Sequence, residues 1–268
     1  MNEDGTVNRG ALPAIFNPED LHALELALQI KEQYSGTVTV MTMGPPKASE
    51  VLREALYRGA DRTILITDRR CAASDTLATS YILSCAVQKV GRYDVVLCGR
   101  QAIDGDTAQV GPQLAEKLAL PQMTYVEQRV ELKDRTITVR RNTGEGWEKI
   151  RATLPVLLTV TQAANQPRPP RAKGIMKYKK AKSPSELDNT PARQEEIARL
   201  KEQGLLIEQW DLEALGAEPQ RCGLTGSPTR VHRIQSVVLK ATESKRVEPT
   251  DQALRQMVRQ LIEDHTIG

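Results

Sequence analysis

Residues 98–112 read Cys98-Gly99-Arg100-Gln101-Ala102-Ile103-Asp104-Gly105-Asp106-Thr107-Ala108-Gln109-Val110-Gly111-Pro112. An apolar strand ends at Cys98 or Gly99, a polar loop with glycine follows, and a helix is predicted from Thr107. The first turn of a helix leaves backbone N–H groups unbonded, and its dipole adds partial positive charge, so such a loop suits a phosphate. Thr107 and Gln109 can add side-chain donors. Asp104 and Asp106 cannot donate and would repel a facing phosphate; they are read as capping backbone N–H groups or accepting from ribose hydroxyls. A capped loop with no ligand explains the same residues. Neither GxGxxG nor a Walker pattern is present, so local chemistry leaves both readings open.

Three further segments have the same character: Asn17-Pro18-Glu19-Asp20, Met43-Gly44-Pro45-Pro46, and Ser74-Asp75-Thr76-Leu77-Ala78-Thr79-Ser80. Each lies where a helix begins or a strand stops. In open α/β sheets ligands bind beyond the carboxyl ends of the strands. If these ends share one side of a sheet, they form one rim.

The elements that must position this rim alternate. Short apolar runs bounded by breakers occur at 37–43, 63–67 and 94–98, as expected for strands buried on both faces. Helical patterns fill 18–33, 47–58, 74–90 and 107–119. Asn17-Pro18 opens the first of these with a cap residue and proline at the first helical position. The alternation predicts an α/β fold, a parallel sheet flanked by helices. Residues 123–132 and 135–141 then read as a hairpin, and 148–160 as one long strand, so antiparallel additions are expected. Residues 164–183 hold Pro167, Pro169 and Pro170 and seven basic residues from Arg168 to Lys182, and read as an exposed arm. Residues 193–203 read as a helix, 206–230 show no period, 231–240 read as a strand and 250–264 as a final helix. The expected organisation is a nucleotide-binding core over 1–183, with a basic docking loop at 164–183, and a C-terminal extension over 184–268.

The chain has 268 residues, 40% hydrophobic and 26% charged, with a net charge of +3. This near-neutral balance, with aromatics at 3%, gives no basis for a nucleic-acid partner. Four scattered cysteines and three histidines do not make a zinc or iron–sulfur pattern. They suit a reducing cytoplasm. No apolar run approaches the ~18 residues of a membrane helix. No nucleophile or acid–base pair stands out.

The 98–112 segment closely resembles the nucleotide loop of electron-transfer flavoprotein beta subunits. So do Asn17-Pro18, Met43-Gly44-Pro45 and Arg58-Gly59-Ala60-Asp61. The family's signature region is similar to Val139 through Thr159, with Gly144 where an acidic residue is usual. The resemblance runs from about residue 7 to 181, with a further match at Gly226-Ser227-Pro228-Thr229. It implies an adenine-nucleotide-hydrolase-like core that pairs with an alpha subunit holding one FAD. The beta subunit holds a second nucleotide, AMP in simple carriers and FAD in bifurcating members. By position the pocket uses Asn17, Pro18, Glu19, Asp20, Met43 and the loop from Gly99 to Val110: Gly99, Arg100, Gln101, Ala102, Ile103, Asp104, Gly105, Asp106, Thr107, Ala108, Gln109 and Val110. Asp104-Gly105-Asp106-Thr107-Ala108-Gln109, together with Asp75-Thr76-Leu77-Ala78-Thr79-Ser80 and so Asp75, Thr76 and Thr79, resembles the FAD-holding type, so FAD is favoured over AMP. Arg100 is the expected stabiliser of reduced flavin. The resemblance also implies that 184–268 wraps the alpha subunit, and that a dehydrogenase of the acyl-CoA type or another redox partner docks at the arm, with ferredoxin or flavodoxin as the low-potential acceptor. Two departures qualify this. Family members open with a strand and loop that this chain lacks, since it starts within the loop Met1 to Ala14, and the docking leucine is Ala172 here. A stand-alone adenine-nucleotide module, or a ligand-free scaffold, are the alternatives.

Overall fold

The structure, a computed structural model, describes residues 14–229 and 246–263. The chain divides into two units, residues 1–230 and 231–268. Helices and strands alternate through the first: α1 (Pro18–Tyr34), β1 (Thr39–Met43), α2 (Ser49–Arg58), β2 (Arg62–Ile66), α3 (Thr76–Val90), β3 (Val95–Gly99) and α4 (Val110–Lys117). Then come β4 (Gln122–Lys133), β5 (Thr136–Asn142), β6 (Trp147–Thr153), β7 (Val156–Val160), α5 (Ala172–Tyr178), α6 (Arg193–Glu202), β8 (Glu208–Trp210) and α7 (Leu212–Leu215).

The expected α/β architecture is present, but the strands form two sheets. One is parallel, in the order β1-β2-β8, and the other runs β3-β7-β4-β5-β6, parallel from β3 to β4 and antiparallel from β4 to β6. β2 and β7 lie between neighbours, and Ile64, Leu65, Ile66, Val156, Leu157, Leu158 and Val160 are fully buried. Each such side chain stabilises the fold by about 2 kcal/mol. β1 and β3 are half-buried, and among the described residues each has a single strand neighbour. The opening segment expected to lack a strand lies almost wholly outside the described residues, as does the strand expected at 231–240.

Three expectations are corrected. The long strand 148–160 is two strands that break at Leu154-Pro155: β6 is an antiparallel edge, and β7 runs through the middle of its sheet. Proline has no N–H for a ladder and restricts the residue before it, so pairing stops there. Residues 206–230, read as patternless, contain β8, which pairs with β2, and α7. The helix expected from 107 begins at Val110.

The arm at 164–183 is partly helical and fastened at its root. Arg168 gives its backbone N–H (3.1 Å), Nε (2.8 Å) and Nη2 (3.0 Å) to the buried Glu25 of α1, and pairs with Glu32 one helical stretch further on. Arg171 donates its N–H to the Tyr57 carbonyl. Glycine is required at 174, where a Cβ would lie 2.5 Å from the Tyr57 oxygen. Burial is the largest influence on Glu25 and pushes it up, but the Arg168 bonds together hold it below its ordinary value. Bonds from Arg168 and Arg171 hold Glu32 at about 2. Beyond this root α5 exposes Ile175 and Met176, with Lys173, Lys177 and Lys179 in or beside the helix.

In the second unit the described element is α8 (Asp251–Glu263), an amphipathic helix with Leu254, Met257, Val258 and Ile262 exposed. It matches the helix expected over 250–264.

Candidate nucleotide site

The start of α1 packs against the end of β3. Gly99 makes this possible, because a Cβ there would lie 2.7 Å from the Asp20 nitrogen and 2.8 Å from the Glu19 carbonyl carbon. The first turn of α1 then grips the loop that leaves β3. Asp20 Oδ1 accepts from the Gly99 N–H at 2.6 Å, and Glu19 Oε2 accepts from the Gln101 N–H at 3.0 Å. Asn17 donates to the Gln101 carbonyl at 2.9 Å and accepts from the Ile103 N–H at 3.1 Å. Asn17 therefore occupies the N-cap position without capping the helix by its side chain; its amide serves the loop instead. Pro18 takes the first helical position, as expected.

Arg100 lies over this clamp. Its guanidinium pairs with the buried Glu19 at 3.1 Å and stands 5.7 Å from the Tyr125 ring centre. Its charge is thus already matched by a carboxylate, which weakens it as a stabiliser of an anion. Burial raises Asp20 above the ordinary aspartate value, against the lowering effect of the Gly99 and Asn17 bonds. Burial also pushes the neighbouring Cys98 thiol up to about 12, so it stays a protonated thiol.

Beyond Ile103 the loop changes character. Asp104, Gly105, Asp106 and Thr107 are exposed. Asp106 and Ala108 have left-handed φ of 49° and 54°, and Gln109 is right-handed at φ −95°, ψ −30°. Such alternation aims successive N–H groups into one concavity that receives anions. Asp106 is tethered by its N–H to the Ala102 carbonyl and by Oδ1 to Gln101 Nε2. Among the described residues, the N–H groups of Thr107, Ala108, Gln109, Val110 and Gly111 donate to no protein group. α4 is seated by Gly111, where a Cβ would lie 2.6 Å from Thr159 Cγ2.

The start of α3 differs. Asp75 caps it, accepting from the Ala78 N–H at 3.0 Å and from the Thr229 N–H at 3.1 Å. Ser227 Oγ accepts the Asp75 N–H at 2.8 Å. Asp75 thus serves as a cap and a strap for 227–229. Thr76 reaches across to Gln109 Oε1 at 2.8 Å. Thr79 lies one turn into α3, its N–H on the Asp75 carbonyl. Met43 ends β1, but its side chain packs with the apolar cluster around Ile66 and Trp210. Among the described residues no hydrogen bond brings Met43 or Thr79 to the loop, whereas Asn17, Glu19, Asp20 and Thr76 are brought to it. Tyr125, beside Arg100, and Gln113, bonded to Thr76, also lie next to the loop and were not singled out from the sequence. The four-residue spacings Thr76 to Ser80 and Gln109 to Gln113 carried a signal, since each puts two polar side chains on one helix face.

A family model described as electron transfer flavoprotein domain matches residues 4–188. The chain belongs to the beta-subunit branch of the electron transfer flavoprotein family. It is 44% identical to the caffeyl-CoA reductase-Etf complex subunit CarD of Acetobacterium woodii over 85% of this chain and 78% of that one. It is 38% identical to the electron transfer flavoprotein subunit beta of Clostridium acetobutylicum, over 98% and 92% of the two chains. Protein FixA of Sinorhizobium fredii is 39% identical over 96% and 84%. Among the described residues no helix is long and apolar enough to cross a membrane, and no group of His, Cys, Asp and Glu forms a metal site.

Proposed function

We propose that this electron-transfer subunit holds FAD against the 104–111 half of the loop and works with an alpha subunit that carries another flavin. The observation that carries the reading is the run of N–H groups from Thr107 to Gly111 that meet no acceptor among the described residues, beside residues with left-handed φ. Those donors, with the Gln109 side chain, would hold the phosphates of an adenine nucleotide. The carboxylates of Glu19 and Asp20 are spent on the protein's own backbone and so do not oppose a phosphate. Asp104 and Asp106 would face the ribose side.

FAD bound there would supply the redox chemistry. The chain's part is to bind and orient it. Relatedness to CarD supports bifurcation, in which a pair from NADH divides between a low-potential acceptor such as ferredoxin and a dehydrogenase. The lysine-flanked Ile175 and Met176 of α5 give a redox partner an apolar tip with basic surroundings. Ala172 puts no large side chain at the start of that helix, so an acyl-CoA-dehydrogenase-type partner would grip α5 through other residues. The amphipathic α8 suits contact with the alpha subunit.

The test is to co-express this chain with its alpha subunit, denature the purified complex and quantify the nucleotides released. A second FAD and no AMP supports the proposal. One FAD with one AMP makes the beta nucleotide structural and ends the bifurcation reading. One FAD and no second nucleotide contradicts nucleotide binding at this loop.

A further inference from the structure

A ladder of four polar side chains joins the facing surfaces of α3 and α4. Ser80 Oγ, fully buried, has two acceptors in reach of its one proton, the Leu77 carbonyl at 2.9 Å and Gln113 Oε1 at 3.2 Å. Gln113 Nε2 donates to Thr76 Oγ1 at 3.4 Å, and Thr76 Oγ1 donates to Gln109 Oε1 at 2.8 Å. A hydroxyl has a single proton. Because Thr76 accepts from the Gln113 amide, its proton is free to go to Gln109. That bond takes the Gln109 amide oxygen and leaves both amide protons of Gln109 without a protein acceptor among the described residues, at the N-cap of α4.

We infer that Thr76 is a positioning residue: it fixes the Gln109 amide with its NH2 group outward, so that Gln109 acts as a phosphate donor beside the N–H groups of Thr107 to Gly111. This rests on the nucleotide reading above and assigns the division of labour within that site. Gln109 touches the phosphate, Thr76 orients Gln109, and the Gln113 amide sets the direction of the Thr76 proton. An unoriented glutamine would present its amide oxygen to the anion for part of the time, and that face repels phosphate. Thr76 acts on the phosphate end of the ligand and not on the adenine.

The test uses the complex of this chain with its alpha subunit, stripped of exchangeable nucleotide, with ADP and adenosine as probes. T76V keeps the shape and removes the hydroxyl; T76S restores it. ADP binding is expected to weaken about tenfold in T76V, to recover within about twofold in T76S, and adenosine binding to stay unchanged. Q109A is expected to weaken ADP by a similar factor, and T76V added to Q109A to cost nothing more, because coupled residues are not additive. Equal weakening of ADP and adenosine in T76V, or a T76V loss that multiplies with that of Q109A, would overturn the inference. A wild-type complex that binds neither probe would instead sink the nucleotide reading itself.

Discussion

The two halves of the loop after β3 are built on opposite terms. From Gly99 to Ile103 the backbone is gripped by Asn17, Glu19 and Asp20, with Gly99 buried and pressed against α1. From Asp104 to Gln109 the chain is mostly exposed, two residues take left-handed φ, and the N–H groups at the start of α4 have no acceptor among the described residues. The difference teaches what the carboxylates are for. Glu19 and Asp20 hold the near half so that the far half presents donors without a held ligand to shape it. An acidic cluster next to a phosphate loop is then no contradiction, because its charge is turned inward.

The largest effect should come from adding one methyl group to each half. Gly99→Ala drives a Cβ into the α1 backbone and is expected to cost about 3 kcal/mol, as overpacking against unyielding atoms does. Gly105→Ala meets nothing within 4 Å and should change stability by less than about 0.5 kcal/mol. Denaturant unfolding of both variants checks the contrast, and equal costs would break it. Next, Asp20→Ala removes the acceptor of the Gly99 N–H and should cost about 2 kcal/mol, the usual penalty for an unpaired buried donor. Asp106→Gly, which relieves a left-handed φ while losing the Gln101 bond, should stay within about 0.5 kcal/mol by the same measurement.

Acid sharpens the comparison by sign. The folded-state value of Asp20 is raised, so its protonation favours the fold as pH falls, and its contribution is lost as pH rises through that value. The Arg168 strap is the reverse: Glu25 and Glu32 are lowered, so their contribution is present above 4.5 and is lost as pH falls through their folded-state values, about 2 for Glu32. Amide exchange measured across that window should show protection of the Arg168 N–H falling while that of the Gly99 N–H holds. A loss smaller than that at Asp20 is expected at α3. Asp75→Ala should cost about 1 kcal/mol as a lost cap and speed exchange of the Thr229 N–H, whose acceptor it is.

The strands at the heart of the fold were legible because burial on both faces writes a plain apolar run, as in Ile64-Leu65-Ile66. β8 was not: its short stretch reads as nothing locally and exists through pairing with β2, far away in the chain. The break at Pro155 was visible as a residue, yet the apolar run across it mimicked one strand. At the site, the resemblance put the loop and the start of α1 in one pocket, and the structure brings these two segments into contact. What Asn17, Glu19 and Asp20 do there was not legible, because a cap and a long-range clamp use the same residue types. Their partners lie some 80 residues on, and no local pattern records that.

The central claim is tested most directly by amide exchange on the complex with its alpha subunit, with FAD removed and then restored. The account predicts new protection at the N–H groups of Thr107 to Gly111 and none at Gly99 to Ile103, where the bonds already exist. Protection confined to Gly99–Ile103, or no change anywhere from Asp104 to Gly111, would contradict it.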